Sequence, residues 1–193
     1  GRMGVKDYTV FIADDYKLPE ILGEVAEKLE KKGIHVIRGP KTVRGERLRY
    51  PDESLKELFG NADVAMFSSR SICDRRVIEA APRLRGIVNP TIAVDTVDVE
   101  FATEKGILVG NGAIPENYIE MAEATVMLML MLMYDPLKSM RLLKENLPEP
   151  SMMEHWARMM YKKTVGILGL GRIGRGVAER LSAWDMDIIA YDP

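Results

Sequence analysis

Cysteine is all but missing from this chain of 193 residues: Cys73 stands alone. An internal disulfide is therefore impossible, and so is a metal site built on cysteine pairs. A single thiol suits a reducing compartment. Histidine is almost as scarce, with only His35 and His155. Neither stands in an HExxH pattern and no GxSxG is present, so metalloprotease and serine-hydrolase readings have no support and no metal is expected. Neither sign of charge dominates: the formal net charge is −2 with no basic tract, which argues against a nucleic-acid partner. Long apolar runs are absent too. The longest, Ala124 to Tyr134, is shorter than the roughly 20 residues of a membrane-spanning helix and is flanked by Glu120, Glu123 and Asp135. It reads as a helix buried on most sides, with no membrane partner. The amino-terminal stretch has charges and turn residues instead of the apolar core of a secretory signal, so the expected location is cytoplasmic.

What is present alternates. Apolar runs of strand length at 8–13, 34–37, 63–67, 85–88 and 107–109 are separated by helical stretches. That pattern predicts an α/β fold, a parallel sheet with helices on both faces. The first helix carries Ile21, Val25 and Leu29 on one stripe and should stop at Gly33. A weaker helix is expected near Ser54 to Leu58. Another covers "RRVIEAAPRL", packing through Val77, Ile78 and Ala81, and a fourth is capped by Asp98 and stopped by Gly106. At about Asn111 the pattern changes. A turn leads into one long helix, rich in methionine at 121, 127, 129, 131 and 133, whose surface should be soft and adaptable. The expectation is two domains, 1–110 and 111–193, with the long helix crossing into the second.

The second domain ends in "TVGILGLGRIGRGVAERLSAWDMDIIAYDP". Gly169, Gly171 and Gly174 lie between an apolar strand and a helix whose inward stripe is Ile173, Val177, Leu181 and Trp184. In a dinucleotide fingerprint the first glycine permits the tight turn, the second lets a pyrophosphate approach the backbone, and the third lets helix and strand pack closely. Free amides and the positive end of the helix dipole, around Arg172 and Ile173, would face the phosphates. Asp192 follows Gly174 by about 18 positions, near the spacing of about 20 at which an acid meets the adenosine ribose. A carboxylate there would repel a 2′-phosphate, so NAD is favoured over NADP. A solvated strand-end acid is the plainer account of Asp192.

These motifs resemble those of the NAD-dependent D-isomer-specific 2-hydroxyacid dehydrogenases. "AAPRLRGIVNPTIAVDTVDVEFATEKGILVGN" is similar to that family's approach to its interdomain crossing, "AEATVMLMLMLM" to its crossing helix, and the glycine segment to its cofactor motif. The resemblance implies a flavodoxin-like parallel-sheet substrate domain followed by the start of a Rossmann domain, and a homodimer paired through the cofactor domains. It implies cofactor contacts at Gly171, Arg172, Ile173 and Asp192. Met121 stands where relatives often place a small residue close to the nicotinamide; a buried core methionine is the alternative. The family's substrate loop, usually GxGxDNVD, corresponds here to Thr91–Asp98, with Thr91 and Ala93 in place of both glycines. The amides of Ile92 and Ala93 could still receive a substrate carboxylate, since a backbone donor needs no particular side chain. Arg70 could pair with an anionic substrate or stand as a surface arginine.

Hydride transfer to a 2-oxo acid also needs a cation, a general acid and a carboxylate that orients it. The family's Arg, His and Glu fall downstream of Pro193, so no catalytic residue is expected in this chain, which reads as an inactive fragment of a longer polypeptide. His35 reads as a core or edge residue and His155 as a surface or interface position. Two functions follow for the full-length protein. One is an NAD-dependent oxidoreductase interconverting a small 2-hydroxy acid and its 2-oxo acid. The alternative is an NAD-responsive, corepressor-like binding protein of the same fold.

Overall fold

Thr9–Ile12 (β1) is a nearly continuous apolar strand because both its faces are covered. Alternate side chains of a strand point to opposite faces, so Phe11 enters one core and Ile12 another. The computed structural model describes residues 8–154 and 156–193, so His155 lies outside the described residues. Around β1 it arranges His35–Arg38 (β2), Val64–Met66 (β3), Gly86–Asn89 (β4) and Leu108–Asn111 (β5) in one sheet of order β2-β1-β3-β4-β5. Every pair is parallel. The order 2-1-3-4-5 is the flavodoxin-like one, with its reversal between β1 and β3. His35 is exposed on the edge strand, paired with Thr9.

Four helices connect these strands: Pro19–Glu30 (α1), Asp52–Phe59 (α2), Arg75–Glu79 (α3) and Val99–Glu104 (α4). Residues from α2, α3 and α4 enter the Phe11 core, where Phe11, Tyr50, Phe59 and Phe67 form an aromatic cluster with Phe11 and Phe59 centroids 4.4 Å apart. Buried Asp63 ties the starts of β1 and β3 together, accepting from the Thr9 amide at 2.9 Å and from the Arg83 guanidinium at 3.1 Å. On the other face α1 packs through Leu22 and Ala26, with Val25 and Leu29 beside them. Ile21, expected on that stripe, is 57% exposed; the buried row is offset from it by one residue. The caps follow the residues expected. Asp98 accepts from the Phe101 amide at 3.0 Å, and Gly33 and Gly106 have φ of 82° and 71°, the left-handed region that favours glycine at a helix end. α3 is shorter than its sequence suggests, because the residue before Pro82 is disfavoured in helix; Ala81 is buried beyond its end.

A second unit begins at Ile114, the first ending at Ala113. It contains Pro115–Tyr134 (α5), Pro136–Lys144 (α6), Thr164–Leu168 (β6), Arg172–Leu181 (α7) and Asp187–Tyr191 (β7). β6 and β7 pair in parallel from Thr164↔Asp187 to Leu168↔Tyr191. Their core is Ala122, Met160, Ile167, Val177 and Leu181. Gly176 lets α5 and α7 close up, since a Cβ there would stand 3.1 Å from that of Ala122. The burial expected of α5 is corrected. Only Ala122 is buried in the helix, and Met121, Met127, Leu128 and Leu132 are exposed. Its carboxyl-terminal half is apolar all round, and α7, the two strands and the segment around Met160 pack against it while Met127, Leu128 and Leu132 stay uncovered. Trp184 packs on the core as expected, whereas Ile173 is 41% exposed at the start of α7 instead of lying inward. Among the described residues no helix is long and apolar enough to cross a membrane.

Candidate functional site

β6 runs into the glycine turn, and its geometry assigns each glycine a distinct reason. Gly169 has φ of 93°, a conformation that strains any residue with a Cβ, and its amide donates to Tyr191 O at 2.8 Å. A Cβ on Gly174 would meet Gly169 O at 2.1 Å, so the third position is fixed by the close approach of helix to turn. Gly171, the residue before the first helical turn of α7, has ordinary backbone angles and nothing within 4 Å of a built Cβ. No protein atom therefore requires a glycine there, and the space above it is open. A cleft of about 320 Å³ lies alongside β6, lined by Thr125 and Met129 of α5 and by Gly169, Ile173, Gly174 and Val177.

Asp192 closes the turn. Its Oδ2 accepts from the Leu170 amide at 2.5 Å, leaving Oδ1 without a hydrogen bond among the described residues. The carboxylate is thus exposed but fixed in direction. The Arg172 guanidinium lies over the Tyr118 ring, 5.7 Å from its centroid, a cation–π contact that the sequence reading missed. Met121 is exposed on α5 and does not line the cleft; its carbonyl accepts from the Thr125 hydroxyl, which belongs to a residue that does.

In the first unit the candidate acid-binding residues sit past the carboxyl ends of the strands, where ligands bind in open α/β sheets. Asn89, fully buried at the end of β4, donates Nδ2 to Ala93 O at 2.8 Å. Its Oδ1 accepts from the Thr91 amide at 3.1 Å and the Thr91 hydroxyl at 2.7 Å. Asn111, its partner in register on β5, donates to Ile92 O at 2.9 Å. The amides of Ile92 and Ala93 themselves donate no hydrogen bond among the described residues. Arg47 reaches the same loop by an ion pair with Asp95 at 2.9 Å. Neither asparagine was singled out from the sequence; the available signal was a polar amide closing each of two neighbouring apolar strands.

Arg70 lies elsewhere on the strand ends, following β3. Half-buried, it places its guanidinium 5.7 Å from the Tyr16 ring centroid, and its Nε is buried without a partner. Past β1, burial works against the charge on Asp14. Hydrogen bonds from the Thr42 amide at 2.8 Å, Lys41 at 3.0 Å and the Thr42 hydroxyl at 2.9 Å outweigh it and hold the carboxyl below its ordinary value of 3.8. Cys73 is inert: burial, then the neighbouring Asp74 and Asp98, push its thiol up, so it stays protonated. Among the described residues no group of three or more His, Cys, Asp or Glu is placed to hold a metal.

Comparison with known proteins adds the following. Residues 24–164 match the family described as D-isomer specific 2-hydroxyacid dehydrogenase, catalytic domain. The chain is 40% identical over 147 residues to a D-3-phosphoglycerate dehydrogenase of Methanocaldococcus jannaschii, covering 73% of this chain and 26% of that protein. A D-3-phosphoglycerate dehydrogenase of Mycobacterium tuberculosis is 32% identical over 186 residues, covering 91% and 32%. Among solved structures, D-lactate dehydrogenase from Aquifex aeolicus, complexed with NAD and lactic acid, is similar with a TM-score of 0.72 at 25% identity, covering 95% of this chain and 51% of the other. The chain spans about a quarter to a half of the length of these relatives.

Proposed function

This chain belongs to the D-isomer specific 2-hydroxyacid dehydrogenase family, and we propose that it serves NAD-dependent hydride transfer between a small 2-hydroxy acid and its 2-oxo acid. The carrying observation is the glycine turn, where the first and third glycines answer to the protein's own backbone but Gly171 opens onto space. That is the arrangement a pyrophosphate requires of a backbone it must approach closely. Bound there, NAD would supply the hydride acceptor or donor. The amides of Arg172 and Ile173, at the positive end of α7, hold the pyrophosphate. Asp192 offers its unpaired Oδ1 to the ribose hydroxyls, and its charge rejects a 2′-phosphate. Met121, exposed on α5, is the proposed neighbour of the nicotinamide.

The acid is received in the first unit. The Ile92 and Ala93 amides bind its carboxylate, and Arg70, with a buried Nε lacking a partner, supplies positive charge. The relatives' names include both a phosphorylated and an unphosphorylated hydroxy acid, and the substrate proposed here is the class they share. The test is NADH oxidation by the polypeptide carrying this chain, against glyoxylate, pyruvate, hydroxypyruvate and 3-phosphohydroxypyruvate. Turnover of one or more supports the reading; NADH that binds but is oxidised by none of them counts against it.

A further inference from the structure

We propose that Asn89 and Asn111 are positioning residues for acid binding, each turning a peptide of the 91–94 loop so that its amide faces the substrate carboxylate. The proposal rests on the reading that this loop receives the acid. Three successive carbonyls of the loop are held: Thr91 O by the Gly112 amide at 3.2 Å, Ile92 O by Asn111 Nδ2 at 2.9 Å, and Ala93 O by Asn89 Nδ2 at 2.8 Å. In a planar trans peptide the N–H points opposite to the C=O. Fixing these carbonyls therefore turns the amides of Ile92, Ala93 and Val94 away from the strand ends, and none of the three donates a hydrogen bond among the described residues. Three adjacent, outward donors form a receiver for an anion.

The device also accounts for one of the two glycines this loop lacks, the one replaced by Thr91. Thr91 uses its hydroxyl, which glycine does not have, to bond Asn89 Oδ1, so the Cβ at that position serves the clamp. The glycine that the arrangement needs lies instead at Gly112, where a Cβ would meet Pro90 O at 2.2 Å.

The experiment titrates the ¹⁵N-labelled protein with oxamate, a 2-oxo acid analogue, in the presence of NADH, and follows the amides of residues 92–94. Wild type should show saturable shifts at these amides. Asn111→Ala, which removes one hydrogen bond from an exposed side chain, should bind oxamate roughly five- to tenfold more weakly, the scale of one such bond. Its thermal midpoint and NADH affinity should stay unchanged, which a merely structural role for Asn111 would not produce. Asn89→Ala should weaken binding by at least as much. Oxamate affinity equal to wild type in Asn111→Ala overturns the positioning role alone. Absence of shifts at residues 92–94 in wild type overturns the acid-binding reading, and the positioning proposal with it.

Discussion

Replacing Gly171 by alanine and, separately, Gly174 by alanine should produce different outcomes from the same added methyl group, only the second lowering stability. At Gly174 the methyl would stand 2.1 Å from Gly169 O and 3.3 Å from Ile167 Cγ2. The first contact is with backbone, so no rotamer change can relieve it, and α7 must shift away from the turn. Overpacking of this kind costs about 1–3 kcal/mol. At Gly171 the methyl meets nothing within 4 Å, and φ of −70° suits any residue. There, losing glycine's freedom in the unfolded chain contributes about 0.4–1 kcal/mol. Against it stands alanine's poorer fit just before a helix, a loss of similar size. The net change should stay within about 1 kcal/mol. Nucleotide binding separates the variants differently: the methyl at 171 occupies the space proposed for the pyrophosphate, so a loss of at least tenfold in NADH affinity, about 1.4 kcal/mol, is expected there without a matching loss of stability. Urea denaturation and NADH fluorescence on both variants measure the two quantities separately. Wild-type NADH affinity in Gly171→Ala would falsify the cradle; a stable Gly174→Ala would show that the turn does not need its third glycine for packing.

Acid sensitivity should report on Asp14. Its carboxyl titrates below the ordinary 3.8 in the folded protein, so it stabilises the fold above that pH, and the stabilisation is lost as pH falls through the folded value. Thr42→Val, which removes one donor to Asp14, should cost about 1–3 kcal/mol at pH 7, and part of that gap to wild type should vanish below about pH 4 in pH-dependent urea melts. A gap independent of pH would assign the whole loss to the Tyr16 amide, which the Thr42 hydroxyl accepts at 3.0 Å. The exposed apolar residues of α5, Met127, Leu128 and Leu132, are expected to be covered in a two-fold dimer. Light scattering should give twice the monomer mass at micromolar concentration, and Leu132→Glu should reduce it to monomer; a wild-type monomer removes the expectation.

Much of the fold is written in local pattern. Parallel strands buried on both faces leave continuous apolar runs, and helix ends leave Asp98, Gly33 and Gly106 where backbone geometry wants them. The glycine fingerprint is legible for the same reason, since Gly169 and Gly174 answer to constraints within a few residues and Gly171 stands at a fixed spacing between them. What pattern does not carry is what covers a surface. The 124–134 stretch of α5 reads as buried because it is apolar all round, yet hydropathy says nothing of how many neighbours lie against it. Ile21 and Ile173 were misplaced for a related reason: an apolar residue next to the buried row has the same composition as one within it. The asparagine clamp was hidden because a side chain that bonds backbone carbonyls leaves no periodicity, and its two halves are joined only by strand register. Arg70 was found by its charge, but its contact with Tyr16 depends on the turn that follows β1.

The central claim is that the turn at Gly169–Gly174, with Asp192 across it, holds an adenine dinucleotide lacking a 2′-phosphate. Parallel calorimetric titrations of wild type and Asp192→Ala with NADH and NADPH test it most directly. Wild type should bind NADH at least tenfold more tightly than NADPH, and Asp192→Ala should lose most of that preference. Failure of wild type to bind NADH, or equal binding of the two nucleotides, would contradict the claim.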